Sequence, residues 1–240
     1  MHAERLYRNR IRQHHLTAFR TVVKETDLHI QAGTSLIAES RESILRHRAT
    51  IESFAGQYPE FVSSLVPLQF KTPVPPIIDD MLQAGLQAGV GPMAAVAGAV
   101  AAHVGMDLLS LSPEIIVENG GDVFLQTNRT VTIGIFANQS VLNLRLGIEM
   151  VCQNSPLSVC TSSGTFGHSL SRGRADAVTV LSPSCPLADA AATAIGNLVG
   201  SKSDIDAALE FGKHIKGVQG MIIIKDDKAG IWGDMKIVRL

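Results

Sequence analysis

Residues 19–30, FRTVVKETDLHI, are rich in β-branched residues and partly alternate between apolar and polar, which predicts a strand or hairpin. Residues 35–54 set Leu36, Ile37, Ile44, Leu45, Ile51 and Phe54 at mixed helical spacing with charges in the gaps. That is the pattern of an amphipathic helix, and it ends near Gly56. Residues 58–76 hold five prolines and read as a connector whose Phe61, Leu65, Leu68 and Phe70 should pack. A helix over 77–88 follows, broken by Gly89-Val90-Gly91-Pro92. Pro92 suits the first turn of a second helix over 93–104, lined with alanines.

The second half is mostly strand-like. Residues 114–117 predict a strand, and Asn119-Gly120-Gly121-Asp122 is a strong turn signal. Strands over 123–125 and 130–136 follow, with Thr127-Asn128-Arg129 turning between them, and 141–150 reads as another. Residues 177–181 form a short buried strand, 187–198 and 203–211 two helices, and 221–225 with 232–240 a hairpin across 226–230. No repeat or low-complexity tail interrupts this order. The expectation is α+β, an antiparallel sheet with flanking helices, in one domain over 1–240.

Composition narrows the class. At 45% hydrophobic and 18% charged, the 240 residues read as a soluble globular chain, and 5% aromatics imply a core of small aliphatic side chains. A net charge of −1 gives no reason to expect nucleic acid or an acidic membrane. Cys152, Cys160 and Cys185 form neither a disulfide framework nor a metal-ligand spacing. The first residues, MHAERLYRNRIRQHH, are charged throughout and lack an apolar signal core, so the expected location is cytoplasmic and reduced. The sites at Asn128 and Asn138 that match the glycosylation pattern are then chance matches. Residues 81–102 carry no charge and are long enough to span a membrane. Gln83, Gln87, four glycines, Pro92 and an alanine-dominated apolar content argue against insertion. Base rates for soluble proteins favour a homodimer.

Four stretches carry candidate chemistry. Asp189 and Thr193 are four residues apart on a helix capped by Ser184, so they share one face and offer hard oxygen ligands to Mg²⁺ or Ca²⁺. The plainer alternative is an aspartate meeting the helix dipole and a core-facing threonine. At Glu118-Asn119-Gly120-Gly121-Asp122, two glycines allow positive φ and close approach of a ligand to backbone N–H groups, and an ordinary hairpin fits equally. Gly91 opens a helix with no bulky side chain over its first turn, an end that can hold phosphate or simply pack tightly. Thr161-Ser162-Ser163-Gly164, His168, Arg172 and Arg174 together describe a polyanion cradle, with His168 as oxygen donor or acid/base. Two other readings compete here. Gly167-His168-Ser169-Leu170-Ser171 falls short of the serine-hydrolase elbow, and Cys160 paired with His168 would be a thiol nucleophile. For Cys160 the simpler role is a small buried hydrophobe.

The order VGPMAAVAGAVA, VENGGD, CTSSGTFGHS, ADAAATAIGN resembles the ApbE-like superfamily, and in particular a branch of conserved hypothetical proteins within it. The likeness runs from Glu25 to Gly233. It implies an α-β roll with two related halves and a ligand cleft between them. Enzymes of this superfamily bind FAD and use Mg²⁺ to transfer FMN onto a threonine of a target protein. By that resemblance Gly120-Gly121-Asp122 matches the family's GGD turn, Thr161 to Gly164 its TSG segment, and His168 the histidine after it. Ala188-Asp189-Ala190 with Thr193 matches its ADAxxT metal helix, which makes Asp189 and Thr193 the implied Mg²⁺ ligands. Two departures stand out. The family's lysine in the alanine/glycine helix is missing, since no lysine lies between Lys71 and Lys202. Ser169-Leu170-Ser171-Arg172 replaces the family's Ile/Asp/Pro-type segment. Both bear on FMN transfer more than on ligand binding.

Three functions follow as expectations. One is a Mg²⁺-dependent enzyme acting on a small phosphate-bearing ligand, in particular FAD or a related flavin nucleotide. In it Asp189 and Thr193 hold the metal, His168 handles an oxygen or proton, and Arg172 or Arg174 steadies the anion. Asn119, Gly120, Gly121, Asp122, Thr161, Ser162, Ser163, Gly164 and Gly91 line the rest. Another is a non-catalytic cofactor-binding or assembly module on the same fold, which the missing lysine favours. A hydrolase using Cys160 or Ser169 is the third reading.

Overall fold

The computed structural model describes residues 13, 15–137, 140–152, 155–164 and 173–240. The α+β expectation is met, with eleven strands and six α-helices among these residues. Eight strands form one sheet in which every neighbouring pair is antiparallel. They are Thr17–Val23 (β1), Thr26–Ala32 (β2), Ile115–Asn119 (β3), Asp122–Gln126 (β4), Leu157–Ser162 (β7), Ala177–Ser182 (β8), Gly220–Lys225 (β9) and Lys228–Gly233 (β10), in that spatial order. A second sheet is made of Lys236–Arg239 (β11), Leu146–Met150 (β6) and Val131–Gly134 (β5).

The strand period of two sorts side chains between two cores. Ile115 and Val117 of β3, Val178 and Val180 of β8, and Met221 and Ile223 of β9 face the helices. Ile116, Ala177, Leu181, Ile222 and Ile224 face the smaller sheet. With both faces covered, β8 is buried at every position. The helical layer comprises Ile37–Gln57 (α1), Pro59–Ser63 (α2), Pro76–Ala88 (α3), Val96–Leu108 (α4), Cys185–Gly196 (α5) and Ile205–Lys213 (α6).

Local chemistry sets several boundaries as expected. Gly89 ends α3 in the left-handed conformation, φ 75°. The Ser184 hydroxyl accepts the Leu187 N–H at 3.3 Å at the start of α5. Gly120 and Gly121, with φ 69° and 117°, turn the β3–β4 hairpin so that Asn119 faces Asp122.

Other expectations are corrected. Residues 141–145 are turn, and the strand begins only at Leu146. Here the Asn143 side chain accepts the Ala137 N–H and the Ser140 hydroxyl accepts the Leu142 N–H, local bonds that shape a turn, while the Leu144 N–H reaches the Ile135 carbonyl and the Arg145 carbonyl accepts the Leu240 N–H. The C-terminal hairpin turns at Asp226-Asp227, and β10 already pairs Lys228 with Lys225. Gly233, φ 101°, then lets the chain leave the large sheet and β11 pair with β6. The proline connector contains a short helix, α2, and its Phe61 is buried. Phe61 and Phe70 pack on Phe54, with ring centroids 5.0 and 5.2 Å away, while Leu65 is 52% exposed.

Among the described residues no single helix is long and apolar enough to cross a membrane. The bent pair Pro76–Ala88 and Pro92–Leu108, which turns by 106°, has that length and composition together. Met81, Leu82, Ala99, Val100 and Val104 of this pair lie in the helix-side core. The apolar content that raised the membrane question serves internal packing.

Candidate functional site

The β3–β4 turn, β7 and the first turns of α4 and α5 meet on the helical side of the large sheet. The helix expected over 93–104 is in fact two pieces. Pro92–Ala95 forms a 3-10 turn, and the α-helix begins at Val96. The Val96 N–H bonds back to the Met93 carbonyl in the 3-10 turn, but the N-cap residue, Ala95, has no polar side chain to offer the N–H groups that follow. Asp189, from α5, fills that role. Its Oδ2 accepts the Gly98 N–H at 2.9 Å, and the Ala97 N–H reaches the same carboxyl. The other side of that peptide group is also held, because Asn119 Nδ2 donates to the Ala97 carbonyl at 3.0 Å. A side chain at 98 has no space: a Cβ there would stand 2.5 Å from the Cys185 carbonyl oxygen and 2.9 Å from Asp189 Cβ.

Asp122 lies in this same group. It is 6% exposed, and its carboxyl is within the influence of Asp189, Cys185, Cys160 and Glu118. Burial raises its pKa well above the usual carboxylate range, and the Asp189 charge raises it further. Asp189 is half-buried, yet enclosed enough that burial pushes its carboxyl up to about 7 against the pull of the Gly98 and Ala97 N–H groups. Asp122 is the more enclosed of the two, and each carboxyl's charge disfavours ionisation of the other, so the pair titrates as a unit. The Cys160 and Cys185 sulfurs sit 3.6 Å apart under this carboxyl pair, and burial pushes the Cys160 thiol up. A raised, buried thiol is inert, so the structure favours the packing role for Cys160 over the nucleophile.

The other expected site residues divide by position. Thr193 is half-buried one turn beyond Asp189 on α5. The Gly121 N–H is engaged by Glu118 Oε1 at 3.0 Å. Thr161 alternates with Cys160 along β7, so its hydroxyl faces the other side of the sheet, 3.0 Å from the Thr179 hydroxyl. Ser162, on the Cys160 side, and Ser163 are half-buried at the end of β7. Gly91 is buried against the connector, where a Cβ would meet the Ser64 carbonyl at 1.9 Å. Arg174 is exposed, and its N–H donates to the Val199 carbonyl at 2.7 Å. His168, Ser169 and Arg172 lie outside the described residues. Of the flanking residues, the Gly164 N–H bonds to the Ala175 carbonyl and Gly173 backs onto the Gly196 carbonyl at the end of α5.

Sequence reasoning missed Gly98 and the thiol pair. A glycine in an alanine run was the only trace of the first, and nothing in spacing linked Cys160 to Cys185. An open groove of ≈ 630 Å³ between the end of α1 and Thr72–Pro75 shares no residue with this centre.

A family model described as AbpE bacteria matches residues 8–236. A UPF0280 protein of Methanopyrus kandleri is 38% identical over 231 residues, which is 93% of each chain. A UPF0280 protein of Methanococcus aeolicus is 37% identical over 217 residues, 88% of each chain. Among solved structures, the flavinyl transferase ApbE of Pseudomonas stutzeri in its apo form superposes with a TM-score of 0.56 at 12% identity, covering 93% of this chain and 94% of that one. The flavin transferase ApbE of Vibrio cholerae gives 0.52 at 12% identity, covering 90% and 96%. At that identity the likeness establishes the fold, an α+β roll of ApbE type. The chain belongs to the AbpE bacteria family, a member of the ApbE-like superfamily.

Proposed function

We propose that the protein binds a phosphate-bearing ligand, in the first instance a flavin nucleotide, with Mg²⁺ held by Asp189 and Thr193, and that it acts on the ligand's phosphate linkage. The observation that carries this reading is the position of Asp189. It stands at the start of α4, beside a second carboxyl and one turn before a hydroxyl on its own helix. The Gly98 bond occupies part of one oxygen, and a carboxylate has lone pairs on both.

The donor set suits Mg²⁺ bound together with phosphate. Among the described residues, no three His, Cys, Asp or Glu side chains gather as a cage for a metal ion. Mg²⁺ typically takes one or two carboxylates and completes its shell with phosphate oxygens and water. When bound, the ion would neutralise phosphate charge and polarise a P–O bond. The chain's own contribution is to orient Asp189 through the α4 amides, to exclude water beneath it with Cys160 and Cys185, and to favour an anion at a helix start. The roles of His168 as oxygen or proton partner and of Arg172 or Arg174 as anion contacts belong to the same proposal. The flavin as ligand is drawn from the structural neighbours, which are flavin transferases, and from the motif resemblance.

Calorimetry of FAD, FMN and ADP binding, with and without Mg²⁺, tests it. Asp189→Asn is the informative variant, because an amide oxygen still accepts the α4 N–H groups while the charge is gone. The expected result is Mg²⁺-dependent binding in the wild type that is lost in a folded Asp189→Asn protein. Equal binding in the two proteins sinks the reading. A second reading is a binding module without turnover, favoured by the absence of lysine from α4. Tight Mg²⁺-dependent binding with no product formed would select it.

A further inference from the structure

We infer that Asn119 is a positioning residue for Asp189, acting through the peptide group between Ala97 and Gly98. This rests on the reading of Asp189 as a cation ligand. The geometry is a chain of contacts through one rigid unit. Asn119 Nδ2 donates to the Ala97 carbonyl at 3.0 Å, and the N–H on the other side of the same peptide plane donates to Asp189 Oδ2 at 2.9 Å. A peptide group is planar, so fixing its C=O fixes the direction of its N–H. Asn119 thereby sets the angle at which the start of α4 presents its amide to the carboxylate.

Three features make this more than an incidental contact. The peptide lies in the first turn of α4, where the Gly98 N–H goes to Asp189 and the N-cap Ala95 makes no side-chain cap. Its orientation is set by Asn119, Asp189 and their surroundings. Gly98 cannot shift freely, since the Cys185 carbonyl and Asp189 Cβ close in on its α-carbon. Asn119 in turn is fixed at the end of β3 by the two positive-φ glycines that follow it and by register with Asp122. The β3–β4 turn and α5 are thus coupled through α4. In the sequence reading Asn119 lined the ligand site; here it acts on the carboxylate from one residue away.

The test compares Asn119→Asp with Asn119→Ser and Asp189→Asn in the full chain. Asn119→Asp keeps the shape and replaces the donor by an acceptor. Asn119→Ser, too short to reach the Ala97 carbonyl, covers the case in which the added charge prevents folding. Two quantities are read: hydrogen exchange at the Gly98 amide, and Mg²⁺ affinity measured calorimetrically in the presence of FAD. We expect Gly98 exchange to accelerate selectively relative to β9 amides, and Mg²⁺ affinity to fall about tenfold, the lower end for loss of a group that orients a metal ligand. A merely structural Asn119 would change global stability and the turn amides without moving either quantity. Unchanged Gly98 exchange overturns the inference, as does faster exchange with unchanged Mg²⁺ affinity. Wild-type Mg²⁺ affinity in Asp189→Asn instead overturns the functional reading beneath it. Weak binding there, with wild-type binding in both Asn119 variants, removes only the positioning role.

Discussion

The Gly98 N–H and Asp189 Oδ2 are 2.9 Å apart, a bond that joins the first turn of α4 to α5 across 91 residues of chain. Glycine is a requirement at that contact. Alanine at an open helix position normally stabilises by about 1 kcal/mol, and Gly56, in the last turn of α1 with nothing within 4 Å of an added Cβ, is such a position. Gly98→Ala should do the reverse. Its methyl would stand 2.5 Å from the Cys185 carbonyl oxygen, a backbone atom that moves only with α5. Overpacking of this kind costs about 1–3 kcal/mol, or roughly 3–10 °C in melting temperature for a domain of this size. Thermal melts of Gly56→Ala and Gly98→Ala should shift in opposite directions. An increase for both would show that α4 is not pressed against α5.

This pair also marks how far the sequence could be read. Residues that turn or cap through their own neighbours were legible. Asn119 to Asp122 turned where two glycines demanded it, and Ser184 capped α5. Gly89 ended α3. The Asp189–Thr193 face followed from helical period alone. What could not be read is whatever depends on distant partners. Residues 141–145 looked strand-like until Ser140 and Asn143 side chains bonded their own backbone. β11 continued an apparent hairpin but belongs to the other sheet. Asp189 was legible as a ligand candidate, while its bond to α4 required the fold. The alternation of β7 decides that Cys160 and Thr161 face opposite cores, yet the hydroxyl-rich stretch hid the strand itself.

The carboxyl pair should make metal-free stability fall with rising pH. Burial raises Asp122 well above its usual value and pushes Asp189 to about 7. A carboxyl whose folded pKa exceeds its unfolded value binds more protons when folded across the window between them. It therefore contributes stability below the unfolded pKa and loses it as pH rises through the folded one. In the presence of a chelator, this contribution declines from about pH 4 through pH 7 and beyond. Asp122→Asn, which mimics the protonated acid, should flatten that decline and raise the melting temperature at pH 8 by about 2–4 °C per kcal/mol regained. Added Mg²⁺ should protect the wild type more at pH 8 than at pH 6, because the ion takes the ionised carboxylate. A wild-type and Asp122→Asn pair with parallel pH profiles would contradict the buried placement of this group.

The thiols give a separate check. Cys160 and Cys185 are 0% and 1% exposed, and Cys160 is held above the ordinary thiol range by burial and by its sulfur neighbour. A maleimide or disulfide reagent should label both slowly in the native protein and quickly after unfolding, with mass spectrometry assigning the sites. Cys160→Ser should keep Mg²⁺-dependent ligand binding and lose about 1–2 kcal/mol of stability, because a more strongly hydrated hydroxyl replaces the buried thiol. Rapid native labelling of Cys160, or loss of turnover alone in a fully stable Cys160→Ser protein, would revive the thiol nucleophile.

Gly173 tests whether the segment between Gly164 and Gly173 belongs to the site. Its α-carbon backs onto the last turn of α5, where a Cβ would come 1.7 Å from the Gly196 carbonyl oxygen. A Cβ on Gly164 would similarly stand 2.1 Å from the Gly173 carbonyl oxygen, so the two anchors and α5 form one stack of backbone on backbone. None of these contacts can be relieved by a side-chain rotation, so Gly173→Ala must move the anchor away from α5. From Gly196 to Asp189 is about 10 Å along the helix at 1.5 Å per residue. A displacement at Gly196 thus begins about two helical turns away from Asp189. We expect Gly173→Ala to lower affinity for FAD in the presence of Mg²⁺ by about tenfold, a factor equal to 1.4 kcal/mol, beyond what its loss of stability explains. Gly98 amide exchange, which reports on the Asp189 end, should stay as in the wild type. If ligand affinity survives while the protein is measurably destabilised, residues 165–172 contribute nothing to binding, and the cradle must be built from α4, α5 and the β3–β4 turn alone.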